Sequence, residues 1–489
     1  MNNKTMMTDL YELTMSQVYF NENKKDEIAI FDAFFRKEPM ESGYAVMAGL
    51  DNLIEYIQNL KFTNDDIEYL RTLNLFNEPF LEYLKKFKFT GEICAIPDGT
   101  PVFRNTPLIT VKAPIIETQI IETALLSYLN AGICYATAAR RIIESAGNIN
   151  VMEFGARRAL GPDAAVEASK CAIMVGAIGT SNVLAGKKYN IPVMGTMAHS
   201  FVTESNSEYE AFLNFAKTYP DNCFLLVDTY DTLKSGIPNA IKVAKEFLLP
   251  NGYRLKGIRI DSGDLAYLSK EARKMLDDAG FRDAKICLSN GINNKTIESL
   301  KIQGAEMDVI GLGDNIVLPD KARVGCVYKN VAIIKKNQII PKIKLSGDII
   351  KTINPGYKKV YRIYDKKTKY ALADLIALHG EEIPKDKYLL IDPDDETNIK
   401  HIKDYEIEEL QIPIFIEGKL VYENPNVFKK REYCNDQMKT LYPEIKRIEK
   451  PHKYYVNLSK NLLVLKRDMI MKIKNNNIEN KKQKVKGLK

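Results

Sequence analysis

Short apolar runs alternate with helix-like segments through the middle of the chain, from about residue 149 to residue 312. Stretches such as Pro238–Leu248 and Leu268–Ala279 place apolar residues at helical spacing, and Gly280 follows the second stretch as a helix stop. Six apolar runs have the length of strands: Ile149–Phe154, Ile191–Gly195, Cys223–Val227, Gly257–Ile260, Lys285–Leu288 and Met307–Gly311. Strands that alternate with helices in this way predict an α/β fold with a parallel sheet.

A short polar loop follows almost every one of these runs. Along the chain the loops read GARR, GTMAHS, DTYDT, DSGD, SNG and GLGD. In a (β/α) barrel all such loops meet at the carboxyl ends of the strands, where these folds place their active sites. In an open, doubly wound sheet only the loops at the switch point meet. Polar groups after six strands therefore favour a barrel with one pocket.

The segments on either side of the predicted barrel have a different pattern. The N-terminal flank mixes helical stretches with strand-like pieces, and the C-terminal flank carries further alternating apolar segments. We predict that the two flanks form an accessory α+β domain. The expected boundaries are 1–130 for the N-terminal accessory domain, 131–330 for the barrel with the active site, 331–471 for the C-terminal accessory segment, and 472–489 for a basic disordered tail.

The composition is that of a soluble globular protein, with 45% hydrophobic and 27% charged residues. No apolar run has membrane-spanning length, and the first residues, MNNKTMMTDLYELT, lack the basic and apolar regions of a signal peptide. The seven cysteines are scattered without a CxxC pair, which argues against a disulfide framework and against a structural zinc site. We therefore expect a cytoplasmic protein with no membrane partner.

The net charge of +7 comes from one end of the chain. Residues 466–489 contain nine Lys/Arg and two Asp/Glu, so the preceding 465 residues are formally neutral. The Lys/Asn-rich end has little apolar periodicity, and we expect a solvated tail there. A nucleic-acid-associated protein that uses this tail is an alternative of a different class. Because the body of the chain has no basic stripe, a nucleic-acid partner is not expected.

The segment GIRIDSGDL offers groups that suit a phosphorylated sugar. Arg259 can clamp phosphate through its planar guanidinium. Asp261 can accept hydrogen bonds from ribose hydroxyls or bind Mg²⁺, an ion that prefers carboxylates and substrate phosphates. The alternative is structural, since Asp261 and Asp264 can also form an Asx turn and a helix cap.

Two glycine-bearing turns and one aromatic residue add to this chemistry. Gly291, Gly311 and Gly313 follow consecutive strands and would let backbone N–H groups approach phosphate oxygens. Phe154 ends the first apolar run, and Arg157 follows in the next loop. An aromatic face beside a guanidinium suits a flat anionic ring, although a core phenylalanine with a surface arginine would give the same pattern.

His199 is one of only four histidines and follows the apolar run that ends at Gly195. Histidine is the side chain best able to gain or lose a proton near neutral pH. A lone histidine can equally be structural, so the interpretation of His199 depends on the other loops.

Several of these segments together resemble nicotinate phosphoribosyltransferase. The similar strings are TDLYELTM, FDAFFRK, EFGARRALGPDAA, GTSNVLAGKKYNIPVMGTMAHSFV, VDTYDT, GIRIDSGDL and GCVYK, and the resemblance extends from about residue 7 to residue 465. It implies a type II phosphoribosyltransferase fold, an irregular (β/α) barrel with a second domain built from the flanks. It also implies ATP-coupled transfer of phosphoribose from phosphoribosyl pyrophosphate to nicotinate, with Mg²⁺ as cofactor, in NAD salvage. A homodimer with shared active sites is expected.

The resemblance implies a role for each matching residue. His199 corresponds to the histidine that ATP phosphorylates. Arg259 and Asp261 would hold the phosphoribosyl group, with Asp261 also a Mg²⁺ ligand. The pyridine ring would lie between Phe154 and Tyr11 of the partner subunit. The other implied substrate-binding residues are Arg157 at the ring carboxylate, Gly291 and Gly313 at the 5′-phosphate, Arg36 from across the dimer, Ser181 and Ser200.

Ser181 bears on whether the substrate is the acid or the amide. Related nicotinamide enzymes have an aspartate after the Gly-Thr of this segment, where its carboxylate can accept from the amide group. This chain has Gly179-Thr180-Ser181, and a hydroxyl can donate to a carboxylate that a buried aspartate would repel. Ser181 therefore favours nicotinate, with a nicotinamide enzyme as the alternative.

Asp314 departs from the family pattern. Many relatives have a threonine after the second glycine turn, where its hydroxyl can donate to phosphate, whereas the turn here reads GLGD. An ionised carboxylate aimed at the 5′-phosphate would repel it. Either Asp314 points away from that pocket, or the pocket differs.

The substitution Ser181→Asp should move the substrate preference from nicotinate toward nicotinamide. A carboxylate repels the acid and accepts from the amide N–H₂, so the ratio of kcat/KM for acid to amide should fall at least about tenfold. Steady-state kinetics with both substrates measure this ratio. An unaltered ratio would show that Ser181 does not face the ring.

Overall fold

A computed structural model describes residues 3–345 and 352–486 of the 489-residue chain. The chain divides into two compact units. The flanking unit combines Met1–Cys134, Arg323–Pro425 and Asp436–Lys489, and the central unit combines Tyr135–Ala322 with Asn426–Asn435. The sequence pattern does not predict the short return of the chain into the central unit at 426–435.

The first part of the chain mixes helices and strands. The helices are α1 (Leu10–Asn21), α2 (Leu50–Gln58), α3 (Asn64–Thr72), α4 (Glu78–Lys85), α5 (Ile115–Ile120) and α6 (Glu122–Ala146). The strands are β1 (Ile28–Phe34), β2 (Ala45–Val46), β3 (Glu92–Ala95), β4 (Pro101–Val102) and β5 (Ile109–Pro114).

The central unit alternates strands with helices. Its strands are β6 (Asn150–Glu153), β7 (Gly179–Thr180), β8 (Phe224–Leu226), β9 (Gly257–Ile260), β10 (Lys285–Leu288) and β11 (Val309–Leu312). Its helices are α7 (Pro162–Val175), α8 (Val183–Tyr189), α9 (His199–Glu204), α10 (Glu208–Thr218), α11 (Ile237–Val243), α12 (Leu265–Asp278), α13 (Asn294–Ile302) and α14 (Asp314–Val317).

The last part of the chain is rich in strands. These are β12 (Val327–Lys335), β13 (Gln338–Pro341), β14 (Lys358–Asp365), β15 (Ala371–Leu378), β16 (Lys387–Asp392), β17 (Asp395–Lys403), β18 (Tyr405–Glu409), β19 (Ile412–Ile416), β20 (Lys419–Leu420) and β21 (Val456–Leu458). Two helices complete the chain, α15 (Val427–Lys439) and α16 (Lys460–Lys486).

Strand pairing explains why the two flanks form one unit. Strand β1 pairs antiparallel with β12 on one side and with β5 on the other, in a seven-stranded sheet of order β13-β12-β1-β5-β3-β19-β20. A four-stranded sheet has the order β18-β14-β15-β21. The buried ion pair Lys358–Asp32, at 2.9 Å, connects β14 of the second sheet with β1 of the first. The expected α+β character of the flanks agrees with these sheets.

Six parallel strands form the sheet of the central unit, in the order β7-β6-β11-β10-β9-β8. The sheet is a half-barrel, and helices connect its strands. The predicted α/β fold with parallel strands is confirmed. Because the strands are parallel, their carboxyl ends and the loops that follow lie at one edge of the sheet.

One of the six expected strands is not where the pattern places it. The segment Ile191–Gly195 makes only an isolated bridge, from Val193 to Thr180, and the two-residue β7 occupies the edge of the sheet. Pro192 has no N–H to donate to a strand ladder, so this apolar run cannot form a regular strand. The other five strands lie within two residues of their predicted bounds.

The C-terminal segment also differs from expectation. Residues 472–486, expected to be disordered, belong to α16, and residues 487–489 lie outside the described residues. The helix is anchored where it begins, because Leu462 and Leu463 are buried against Ile376 and Leu458. Lys, Glu and Gln have good helix propensity, so an anchored helix can continue through a polar sequence. No helix in the part of the chain that the structure describes is both long and apolar enough to cross a membrane.

Gly236 lies against the end of β8, and its substitution tests this close approach. A Cβ at Gly236 would lie 1.8 Å from the carbonyl oxygen of Val227. We expect Gly236→Ala to lower the free energy of unfolding by about 1–3 kcal/mol through overpacking, as measured by denaturant titration. At Gly195 a Cβ would meet no atom within 4 Å, so Gly195→Ala is the control. Equal losses in both variants would contradict the prediction.

Candidate functional site

Two aspartates meet at the carboxyl ends of β8 and β9. Asp228 Oδ2 accepts hydrogen bonds from the backbone N–H of Asp261 at 2.9 Å and from Ser262 Oγ at 2.6 Å. The Asp228 side chain is only 1% exposed. Its second oxygen, Oδ1, has no hydrogen-bond partner among the residues that the structure describes. One buried carboxylate oxygen is therefore left to interact with another group.

His199 faces both aspartates. It is the first residue of α9, and its Nε2 lies 3.8 Å from Asp228 Oδ1 and 3.8 Å from Asp261 Oδ2. Its Nδ1 lies 3.2 Å from Thr229 Oγ1. The side chain is 43% exposed, so a ligand can reach the imidazole. The structure thus brings the predicted residues His199 and Asp261 together and adds Asp228 and Thr229 to them.

Arg259 and Asp261 are held by a shared serine. Arg259 Nη2 donates to Asp261 Oδ1 at 2.8 Å, and Arg259 Nε donates to Ser289 Oγ at 2.8 Å. The Ser289 hydroxyl in turn donates to Asp261 Oδ1. Because Ser289 follows β10, this three-residue network connects the ends of β9 and β10. Asp261 Oδ1 is used within the network, and Asp261 Oδ2 is the oxygen that faces His199.

Phe154 lies beside the guanidinium of Arg259. The centroid of its ring is 5.7 Å from Arg259 Cζ, within the range of a cation–π contact. A Cβ at Gly311 would lie 2.7 Å from Phe154 Cε2, so glycine at this position provides the space for the ring. The sequence suggested Gly311 as a backbone contact to phosphate, and the structure instead places it within β11 and under the ring.

A buried glutamate organises the end of β6. Glu153 Oε1 accepts from the N–H of Gly155, and Oε2 accepts from Ser169 Oγ at 2.7 Å and from Thr180 Oγ1 at 2.5 Å. The backbone N–H of Ser181 donates to the Glu153 carbonyl at 2.9 Å. Ser181 itself is exposed, and its hydroxyl bonds to no other residue that the structure describes. That hydroxyl is free to donate to a ligand.

The two glycine turns lie next to each other. Gly291 follows β10 with φ +59°, and Gly313 directly precedes α14 after β11. Asn315 Nδ2 donates to the carbonyl of Ile292 at 2.8 Å and connects the two turns. Asp314 Oδ1 lies 3.3 Å from Arg158 Nε, so its carboxylate pairs with an arginine of the loop after β6.

The remaining predicted residues divide between the units. Arg157 and Ser200 are exposed on the central unit, in the loop after β6 and in the first turn of α9. Tyr11 on α1 and Arg36 after β1 belong to the flanking unit. Burial and Glu122, which accepts a hydrogen bond from the phenol, raise the pKa of Tyr11. The contacts expected of Tyr11 and Arg36 across a dimer stay predictions.

Three family models match the chain. The model described as the nicotinate phosphoribosyltransferase N-terminal domain matches residues 6–130, the nicotinate phosphoribosyltransferase family model matches residues 149–360, and the C-terminal domain model matches residues 357–466.

Relatives match over nearly the whole chain. The chain is 43% identical to a nicotinate phosphoribosyltransferase of Bacillus subtilis (strain 168) over 474 residues, which cover 96% of each chain. It is 34% identical to the Caenorhabditis elegans nicotinate phosphoribosyltransferase, over 94% of this chain and 92% of the relative. The chain belongs to the nicotinate phosphoribosyltransferase family. It is therefore a phosphoribosyltransferase enzyme.

Solved structures agree with this assignment. The crystal structure of human nicotinic acid phosphoribosyltransferase matches with a TM-score of 0.83 and 28% identity, over 95% of this chain and 99% of that one. A nicotinate-nucleotide pyrophosphorylase from Pyrococcus furiosus shares the fold, with a TM-score of 0.68 at 21% identity over 90% and 96% of the two chains. The predicted type II phosphoribosyltransferase fold is confirmed.

Sequence reasoning missed four residues of this candidate site, namely Glu153, Asp228, Thr229 and Ser289. Asp228 and Thr229 lie in VDTYDT and Ser289 begins SNGINNKT, and both strings were recognised as strand-end loops. Their position at or directly after a predicted strand was the one signal in the sequence that could have identified these residues. It could not show which side chain turns inward, because that depends on hydrogen bonds between neighbouring loops.

Removal of the Ser289 hydroxyl tests the three-residue network of Arg259, Asp261 and Ser289. Ser289→Ala leaves Arg259 Nε without its acceptor and removes one of the two donors to Asp261 Oδ1, so we expect turnover to fall about tenfold or more. The free energy of unfolding should fall by about 1–3 kcal/mol. Steady-state kinetics and denaturant titration measure the two effects.

Ser269→Ala is the matched control for this variant. Ser269, on α12, is also buried, and its hydroxyl donates to Ala266 O and accepts from Glu306 N. It should lose a similar amount of stability and keep its turnover. Equal turnover in the two variants would remove Ser289 from the site.

Proposed function

We propose that this enzyme transfers the phosphoribosyl group of phosphoribosyl pyrophosphate to nicotinate, with ATP hydrolysis coupled to the transfer, in NAD salvage. The ring nitrogen of nicotinate forms a bond to the anomeric carbon as the bond from that carbon to the pyrophosphate oxygen breaks. The products are nicotinate mononucleotide and pyrophosphate. One observation carries the proposal: an exposed imidazole lies 3.8 Å from two carboxylates, and one of these, Asp261, pairs with the guanidinium of Arg259.

The end of the site at β6 and β7 suits the pyridine ring. Phe154 offers an aromatic face, and Arg157 is an exposed cation in the loop that follows Phe154. The Ser181 hydroxyl, after β7, is free to donate. A flat ring that carries a carboxylate matches this set, because the ring stacks while the carboxylate accepts from the hydroxyl and the guanidinium. These groups favour nicotinate over nicotinamide, which carries no charge.

The end at β9, β10 and β11 suits the phosphoribosyl group. Arg259 can place a fixed positive charge next to the pyrophosphate, and Asp261 can accept from ribose hydroxyls. Gly291 and Gly313 leave open space where a side chain would otherwise stand, so the 5′-phosphate can approach the backbone. Positive charge develops at the anomeric carbon as the bond to pyrophosphate breaks, and fixed charges lower the barrier for this separation.

The surroundings of His199 support Nδ1 as the nitrogen that would attack ATP. Two carboxylates face Nε2, so they favour the proton on that atom and leave the lone pair on Nδ1. Thr229 then donates its hydroxyl to Nδ1 until ATP arrives. The bond from Nδ1 to the γ-phosphorus forms as the bond to ADP breaks, and later hydrolysis returns His199 and phosphate. A phosphate carried on His199 adds negative charge beside the metal and pyrophosphate region and thereby couples ATP to pyrophosphate release.

The residues present fit a Mg²⁺ ion. Asp228 Oδ1 has no hydrogen-bond partner in the described part of the chain, and Asp261 Oδ2 faces the same space. Mg²⁺ is commonly held by one or two carboxylates together with water and substrate phosphates, and these two oxygens would hold it. When bound, the ion offsets the negative charge of the departing pyrophosphate. Among the described residues no cluster of three or more His, Cys, Asp or Glu has the geometry of a metal site.

We also propose a homodimer with shared active sites. Leu10, Tyr11 and Val18 on α1 are between 47% and 53% exposed, so this helix presents an apolar surface. A second copy of the chain would cover such a surface, and Tyr11 of the partner subunit would then be available to the pyridine ring.

A product assay tests the proposed reaction directly. The wild-type enzyme should form nicotinate mononucleotide from nicotinate and phosphoribosyl pyrophosphate with Mg²⁺, and ATP should increase the rate at low phosphoribosyl pyrophosphate. Chromatography of the nucleotide, with nicotinamide as the alternative substrate, measures both effects. Product from nicotinamide alone would overturn the substrate assignment.

His199→Ala tests the phosphohistidine. We expect ATP hydrolysis to be lost and KM for phosphoribosyl pyrophosphate to rise at least about tenfold, because no phosphoryl group can form beside the pyrophosphate. Thermal unfolding should change little, since 43% of the side chain is exposed and its removal leaves no buried cavity of a full side chain. His401→Ala, on an exposed histidine of β17, is the control. Unchanged ATP-dependent kinetics in His199→Ala would sink the assignment.

A further inference from the structure

Glu153 is a buried carboxylate at the end of the site where the pyridine ring is proposed to bind. Its side chain is completely inaccessible to solvent and lies at the end of β6, directly before Phe154. Burial of a carboxylate without a cation is unfavourable unless hydrogen bonds satisfy its oxygens. The role of Glu153 therefore follows from the groups that donate hydrogen bonds to its carboxylate.

Three neutral donors surround the Glu153 side chain, and they come from three different segments. The donors are the backbone N–H of Gly155, the hydroxyl of Ser169 and the hydroxyl of Thr180. Gly155 begins the turn that leads to Arg157, Ser169 lies on α7, and Thr180 is the last residue of β7. No cation pairs with the carboxylate among the described residues. Hydrogen bonds from neutral groups to a charged acceptor are strong and directional, so the carboxylate fixes the positions of all three segments.

The turn that carries Ser181 is fixed on both sides by Glu153. The backbone N–H of Ser181 donates to the Glu153 carbonyl at 2.9 Å. Thr180 Oγ1 donates to Glu153 Oε2 at 2.5 Å and accepts from the N–H of Asn182 at 3.0 Å. These contacts hold the residues before and after Ser181 and leave the Ser181 hydroxyl free.

The turn that begins at Gly155, on the other side of the Glu153 carboxylate, is also closely packed. A Cβ at Gly155 would lie 3.0 Å from Glu153 Oε1, 2.8 Å from Gly313 O and 2.7 Å from Val317 Cγ1. At Gly155 the turn that leads to Arg157 therefore lies tightly between the carboxylate, Gly313 and the side chain of Val317 on α14. One side chain, Glu153, therefore contacts both this turn and the residue before Ser181, in addition to the backbone pairing of β6 with β7.

We propose that Glu153 is a positioning residue for the pyridine carboxylate. By holding the Phe154–Arg157 loop and the Ser181 turn at a fixed separation, it sets the geometry in which a hydroxyl and a guanidinium together bind the acid group. Glu153 itself does not touch the substrate. This inference rests on the proposed function, because it assigns the binding of nicotinate to these two segments.

Glu153→Gln changes the hydrogen bonding at nearly constant volume. An amide has one acceptor oxygen and one donor nitrogen, whereas the three neighbours of Glu153 all donate. The Gly155 N–H cannot reverse its role, so the amide oxygen stays with it and the amide nitrogen meets Ser169 and Thr180. The amide nitrogen can only donate to the two hydroxyls, so the charge-assisted bond from Thr180 is replaced by a weaker bond between neutral groups. The side-chain contact that helps to hold the Ser181 turn is thereby weakened, while the backbone bond from Ser181 to the carbonyl of residue 153 remains.

The experiment compares nicotinate binding with phosphoribosyl pyrophosphate binding in the full-length enzyme. In Glu153→Gln we expect KM for nicotinate to rise about tenfold, the effect of one lost charge-assisted hydrogen bond. KM for phosphoribosyl pyrophosphate should change less than about twofold, because Arg259 and Asp261 are held by a separate network. Thr180→Val removes the hydroxyl that donates to Glu153 and should also raise KM for nicotinate.

Glu208→Gln is the matched control. Glu208 is another buried glutamate of the central unit, and it accepts from Ser235 and from Asn239 at 2.9 Å. The variant Glu208→Gln also loses the charge of a buried, hydrogen-bonded carboxylate, and it should leave KM for nicotinate unchanged. A purely structural role for Glu153 would raise KM for both substrates or lower kcat alone.

The outcomes separate this inference from the proposed function. If the wild-type enzyme makes no product from nicotinate, the proposed function and the inference both fail. If the wild type is active and both Glu153→Gln and Thr180→Val keep the wild-type KM for nicotinate, only the positioning role is overturned. If Glu153→Gln does not fold, Thr180→Val decides by the same ratio of the two KM values.

Discussion

The site depends on one buried carboxylate that spans two loops. Asp228 accepts the backbone N–H of Asp261 and the hydroxyl of Ser262, so the loop after β9 is fixed to the loop after β8. Only one of its oxygens is satisfied in this way, and the other faces His199. A carboxylate that is buried and half satisfied lowers the stability of the protein. Its position is therefore best explained by what it does to a bound cation or an imidazole.

The other strand ends are connected by the same kind of contact, and every connection joins adjacent strands of the sheet. Ser289 connects β9 with β10 through Arg259, Asn315 connects the turns after β10 and β11, and Glu153 connects the ends of β6 and β7. Each residue uses a polar side chain to fix a loop rather than to bury apolar surface. Such loops hold functional groups in place without a regular element of their own.

The sequence predicts the elements of this enzyme better than its contacts. Five of the six central strands and the helix stop at Gly280 follow from apolar periodicity and from the positive φ that glycine adopts there. His199 and Asp261 were predicted because they follow apolar runs, Arg259 because it lies at the end of one, and all three match family motifs. The inward turn of Asp228 was not predictable, since it depends on donors 33 and 34 residues away. Nor does composition reveal that α16 continues through a Lys/Asn-rich segment, because its anchor lies in other strands.

Asp314 shows how a residue that looks unfavourable in the sequence is accommodated. Its carboxylate stands next to Gly313, where a 5′-phosphate is proposed to bind, and it pairs with Arg158 at 3.3 Å. Both side chains are 60% exposed, so the pair adds little to stability. The ion pair instead orients the Asp314 carboxylate toward the loop after β6, and the positive charge of Arg158 offsets the charge of this carboxylate. A phosphate bound at Gly313 would then meet the backbone N–H groups of the glycine turns, and the Asp314 carboxylate would add no unpaired negative charge beside it.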